Sequence, residues 1–130
     1  MGNDATRIVS VVDDDESLRR SLRNLLGSVG FRVETFACAE AFLASVPRGQ
    51  TGCLLLDLSM PGMNGLDLLG RLSSQGTRIP AVILTAHRDD EARRRALQAG
   101  AVAFLSKPFN SEGLLNAVRT ALDRNGLPHG

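Results

Sequence analysis

A chain of 130 residues is the size of one compact domain. Its 43% apolar and 22% charged residues suit a packed core and exclude a chain that stays unfolded. Fifteen Lys and Arg against fourteen Asp and Glu leave a net charge of +1, which excludes any global pull toward nucleic acid or an anionic bilayer. No apolar run approaches the ~20 residues of a membrane helix and none follows a basic start, which argues against membrane insertion or secretion and for a cytoplasmic protein. Cys38 and Cys53 lack CxxC or Cys/His spacing. Both are expected as buried packing thiols in a reducing compartment, a disulfide being the lesser alternative.

Short β-prone runs alternate five times with segments of helical period. Arg7 to Val12 is the first strand, stopped by acidic residues. Leu18, Leu22, Leu25, Leu26 and Val29 then form one apolar helical stripe, which Asp14 or Asp15 can cap and which Gly27 and Gly30 end. Phe31 to Phe36 alternates like a half-buried strand near a sheet edge, and a brief helix around Ala39 to Val46 closes at Pro47. Cys53 to Leu56 is apolar on both faces, as a central parallel strand must be, and ends at Asp57. Turn chemistry from Ser59 to Gly65 leads into a helix spaced by Leu66, Leu69 and Leu72. Ile79 to Leu84 is the fourth strand, ending at Thr85. Asp89 and Asp90 open a helix with Ala92, Ala96 and Leu97 on its apolar side, terminated by Gly100. Ala101 to Leu105 is the fifth strand, ending near Lys107 and Pro108. Asn110 or Ser111 caps a last helix carrying Leu114, Leu115, Val118, Ala121 and Leu122, and residues 126–130 read as the start of a linker after a domain of residues 1–125.

This alternation predicts the α/β class: a doubly wound, five-stranded parallel sheet with right-handed crossovers and helices on both faces. In that class ligands bind at the carboxyl ends of the strands. Those ends carry Asp13 and Asp14, Asp57, Thr85 and Lys107, from four different strands. Three carboxylates brought together raise one another's pKa unless a cation relieves them, and Mg²⁺ accepts one or two carboxylates, waters and a phosphate oxygen. A lysine and a hydroxyl beside such a centre suit the equatorial oxygens of a phosphoryl group. A central carboxylate can itself be the nucleophile, and Asp57 holds that place because a charge directly after four apolar strand residues has little structural purpose.

At these residues the chain resembles the receiver domain of two-component response regulators, the flavodoxin-like (βα)5 domain also found in chemotaxis regulators. Four motifs in order carry the resemblance from Ile8 to about Leu122: Val11-Val12-Asp13-Asp14, Asp57-Leu58-Ser59-Met60-Pro61-Gly62-Met63-Asn64-Gly65, Leu84-Thr85-Ala86 and Phe104-Leu105-Ser106-Lys107-Pro108-Phe109. It implies that Asp57 accepts a phosphoryl group from a sensor histidine kinase. It further implies that Asp14 and Asp57 bind Mg²⁺ with the Ser59 backbone carbonyl, Asp13 acting mainly through water, and that Lys107, followed by a cis bond to Pro108, pairs with the phosphate. Thr85 and Phe104 would form the switch: the hydroxyl turns inward and the ring fills the vacated space, remodelling the surface of the fourth helix, fifth strand and fifth helix. The same resemblance implies a monomer that dimerises through that surface once phosphorylated. The wording around Ala99 to Phe109 is similar to receivers of the nitrogen-fixation-type transcription regulators, so a DNA-binding output domain is expected outside this chain, without direct nucleic-acid contact here. A stand-alone receiver acting by protein contact or as a phosphate sink is the alternative.

Each residue also has a plainer role. Asp13 to Glu16 can simply start a helix, Thr85 can be strand filler, and Arg93-Arg94-Arg95 points around a helix and reads as a solvated face. Arg88 and Arg95 are candidates for the partner surface. His87 and His129 have no second ligand at useful spacing and read as exposed loop residues, although Ser59 and His87 occupy positions that tune phosphate lifetime in the resembling family. A dehalogenase-type phosphatase would need a second aspartate where Ser59 stands, which disfavours rapid turnover. A nucleotide or flavin module would need a Gly-rich loop where this chain places carboxylates.

Overall fold

A computed structural model describes residues 8–45, 50–86 and 90–126. The chain alternates β1 (Ile8–Val12), α1 (Glu16–Ser28), β2 (Arg32–Phe36), α2 (Ala39–Leu43), β3 (Thr51–Asp57), α3 (Gly65–Ser74), β4 (Ala81–Thr85), α4 (Asp90–Gln98), β5 (Ala101–Ser106) and α5 (Ser111–Gly126). All strand pairings are parallel, in the order β2-β1-β3-β4-β5. The predicted doubly wound α/β architecture is therefore the observed one. β3 lies at the centre with every residue buried, because both of its faces are covered; β2, at the edge, has no fully buried residue.

Period-two alternation divides the core between two layers. Val12, Leu54, Leu56 and Ile83 face α2, α3 and α4, packing on Phe42, Leu68, Leu72 and Ala96. Val9, Val11, Cys53, Leu55 and Leu84 face α1 and α5, packing on Leu22, Leu26, Leu114 and Val118. Truncating a fully buried leucine such as Leu55 to alanine costs about 2–5 kcal/mol at such a position.

The helix starts follow from side-chain caps. Asp15, of the two candidates, caps α1 by accepting from the Leu18 N–H. Asn64 and Asp67 form a reciprocal capping box on α3, and Asn110 rather than Ser111 caps α5 by accepting from the Gly113 N–H. Gly30 and Gly100 take φ of 99° and 108° just past α1 and α4, where a side chain would be strained.

Several expectations are corrected. α1 passes through Gly27, and Val29 is its 43% exposed C-cap residue instead of the end of the apolar stripe. α2 stops at Leu43, β4 begins at Ala81 rather than Ile79, and α5 includes Gly126. Leu97 is 42% exposed, because only Ala96 of α4 reaches the core. Cys53 is buried as expected and burial pushes its thiol up to about 12, but Cys38 is only half-buried, since it precedes the short α2 at the sheet's edge; both thiols are free.

Candidate functional site

Register explains why four separated segments meet. Val12 pairs with Leu56, so the residues that follow, Asp13 and Asp57, are neighbours at the carboxyl ends of β1 and β3. Asp57 pairs with Leu84, one residue before Thr85, and Thr85 pairs with Ser106, one residue before Lys107. The Lys107 N–H donates to the Thr85 carbonyl at 2.6 Å, and the Lys107–Pro108 peptide is cis. Gly65 opens α3 against this corner: a Cβ there would lie 2.7 Å from the Asp57 carbonyl oxygen, so only glycine allows the helix to start so close to the end of β3.

Asp13 is fully buried and held on every polar group. Its N–H donates to the Phe36 carbonyl at 3.1 Å, and its carbonyl accepts from Arg19 Nη1 at 2.8 Å. One carboxylate oxygen accepts the Asp15 N–H at 2.9 Å, and the other accepts Lys107 Nζ at 3.1 Å. Asp57 is 5% exposed, accepts the Ser59 N–H at 3.2 Å, and has an oxygen 3.7 Å from Lys107 Nζ. Asp14 is exposed beside them, and carboxylate oxygens of Asp13, Asp14 and Asp57 lie within 4.8 Å of one another.

One lysine among three acids leaves an excess of negative charge in a partly buried space. Burial, then repulsion from Asp13 and more weakly Asp14, pushes Asp57 up to about 6, against the opposing pull of Lys107 and the Ser59 N–H. A raised pKa makes the Asp57 carboxylate more basic while leaving it largely ionised at neutral pH, a property that suits a nucleophile. The donor set fits a hard divalent ion: three oxygen-bearing side chains within reach of one centre, with no sulfur or imidazole among the described residues of the cluster.

The family model for the response regulator receiver domain matches residues 9–119. The chain belongs to this family. The receiver is 42% identical over 120 residues to the response regulator protein TmoT of Ectopseudomonas mendocina, covering 92% of this chain and 54% of the relative. It is 40% identical over 114 residues to the transcriptional regulatory protein FixJ of Bradyrhizobium diazoefficiens, covering 88% and 56%. Among solved structures it superposes on the response regulator StyR with a TM-score of 0.87 at 49% identity, covering 92% of this chain and 61% of that one. The receiver thus spans about half the length of the curated relatives it matches, and its likeness to nitrogen-fixation-type regulators agrees with the motif wording.

Of the residues singled out in the sequence, Asp13, Asp14, Asp57 and Lys107 converge in the receiver as expected. Thr85 is buried at the end of β4. Ser59 is exposed just past Asp57, while Met60 is buried and Met63 packs against the core, anchoring the loop between them. Phe104 is half-buried on β5, against the core layer of α2, α3 and α4. Arg93, Arg94 and Arg95 are exposed on α4, with Arg94 paired to Glu91, as a solvated face requires. His87, Arg88, Asp89, Pro47 and His129 lie outside the described residues. Arg19 carries no signal in the sequence, and Gly65 stands there only as a turn and motif residue. Both act on main-chain oxygens, to which side-chain periodicity is blind.

Proposed function

We propose that this receiver is a phosphorylation-activated switch in which the Asp57 carboxylate is the phosphoacceptor. A carboxylate oxygen of Asp57 attacks the phosphorus of a phosphohistidine on a sensor histidine kinase and forms the O–P bond. The N–P bond breaks, and the imidazole leaves with its electron pair and takes a proton from water. The observation that carries this reading is Asp57 itself, buried at the end of the central strand within 4.8 Å of two further carboxylate groups and 3.7 Å from Lys107 Nζ.

Asp13, Asp14, Asp57 and the Ser59 backbone carbonyl are the groups that would hold Mg²⁺, which supplies charge neutralisation for the incoming phosphoryl oxygens. Lys107 offers a second positive charge to those oxygens, and the Thr85 hydroxyl a hydrogen bond. Ser59 stands where a general acid would be needed for hydrolysis, which supports a stored phosphoryl group and only slow self-dephosphorylation, not an enzyme with steady turnover. Thr85 and Phe104, on adjacent strands, would carry the phosphorylated state to the α4, β5 and α5 surface and there favour dimers over monomers. The relatives are nearly twice as long as the stretch matched here and one is named a transcriptional regulatory protein, which supports a DNA-binding output domain in the full-length regulator.

Incubation with acetyl phosphate and Mg²⁺, followed by intact mass measurement, tests the assignment. One phosphoryl adduct on the wild type and none on Asp57→Asn is expected; the same stoichiometric adduct on the variant would overturn it.

A further inference from the structure

Asp14 is the exposed member of the acidic cluster, so its direction depends on the backbone that carries it. The peptide linking Asp13 to Asp14 presents its carbonyl to Arg19 Nη1 at 2.8 Å, in a partly buried setting. Arg19 stands in the first turns of α1, where its own N–H donates to the Asp15 carbonyl at 3.0 Å. Helical side chains lean toward the N-terminus, so an arginine at this position is aimed back at the end of β1. The guanidinium is a rigid planar donor with enough reach to tie helix to strand.

The choice of acceptor matters. Lys107 rests on the carboxylates of Asp13 and Asp57 and occupies oxygens that a metal ion could use. Arg19 takes a main-chain oxygen instead, leaving those carboxylate oxygens to other partners. Together with the bond from the Asp13 N–H to the Phe36 carbonyl, it restrains the Asp13 backbone on both sides of the residue.

We propose that Arg19 is a positioning residue for divalent-cation binding: it anchors the Asp13–Asp14 peptide and so presets the acidic cluster for the ion. This deepens the function proposed above and rests on it. Two effects of Arg19 have opposite signs. Its charge repels an arriving cation, so charge alone predicts tighter binding when it is removed. Its hydrogen bond organises the ligands, and partners just outside a metal's own ligands typically contribute 10–100-fold to affinity. The charge is partly screened by solvent, so the organising effect dominates.

The test is calorimetric titration of the chain with MgCl₂, alongside phosphorylation by acetyl phosphate at saturating Mg²⁺. Arg19→Gln is expected to bind Mg²⁺ roughly tenfold more weakly, at the lower end of that range, while the phosphorylation rate at saturation stays within about twofold. Arg19→Lys, which retains a charged donor, is expected to recover most of the affinity. Arg19→Met keeps the aliphatic stem and carries the same expectation as the glutamine variant if that one does not fold. Unchanged or tighter binding in the folded glutamine or methionine variant, or no recovery in the lysine variant, would overturn the proposal. A wild type that takes up no Mg²⁺ would instead sink the proposed function, and this inference with it.

Discussion

Buried polar side chains occur in two regions of the sheet, and they are treated differently. Toward the start of β3, the Ser10 and Thr51 hydroxyls meet at 2.8 Å, neutral and mutually satisfied across the register shift between β1 and β3. At the carboxyl ends, Asp13 and Asp57 are equally buried but charged, with Lys107 as the shared cation and Asp14 adding a further negative charge. The first pair contributes to the fold at modest electrostatic cost. The second is destabilised by its own charge, which is the mark of a site kept for binding.

The largest effect should come from removing the shared cation. Lys107→Met is expected to slow phosphorylation by acetyl phosphate about a hundredfold, the scale for losing one charge-stabilising group. It should also drive the Asp57 pKa further up, since Lys107 now lowers it; NMR titration of the carboxyl group reads this directly.

Next is the stability penalty of Asp57. Its pKa is raised in the fold from an ordinary 3.8 to about 6, so the native state holds the proton more tightly than the unfolded chain. Stability is then greatest below the ordinary value and declines as pH rises toward the folded value. Asp57→Asn in magnesium-free buffer should accordingly be more stable than wild type by about 3 kcal/mol at pH 8, with the difference fading as pH falls from 6 to 4. Urea unfolding across that range checks both sign and window.

Mg²⁺ at roughly ten times its dissociation constant should stabilise the wild type by about 1.4 kcal/mol, a rise of several degrees in Tm, through binding to the native state alone. Asp14→Ala should show much less; an equal rise would separate the stabilisation from the acidic cluster. The smallest effect belongs to the neutral pair. Thr51→Val should cost about 1 kcal/mol by stranding the Ser10 hydroxyl, and the Ser10→Ala/Thr51→Val double variant should regain part of it. Neither should change the phosphorylation rate, and a slowed rate would erase the distinction between the two regions.

Much of the site could be read from linear order because the strands that carry it end where an apolar run meets a polar residue. Asp57 after Leu54 to Leu56, and Thr85 after Ala81 to Leu84, mark strand ends. Boundaries were harder where burial did not follow period. Leu97 and Val29 fit their helical stripes by spacing, yet both are exposed. Residues near a helix end lie beyond the sheet that would cover them.

Spacing and residue type by themselves determined the parallel α/β class, the central strand and the placing of the charged residues Asp13, Asp14, Asp57 and Lys107 at strand ends, because hydrophobic period and charge are properties of the chain itself. Only the tertiary structure decided that Lys107 bridges Asp13 as well as Asp57, that Arg19 grips the Asp13 carbonyl, and that Gly65 must lack a side chain. Those contacts join main-chain atoms and side chains across separate elements. Their existence depends on strand register and helix placement, which no local pattern of residues encodes.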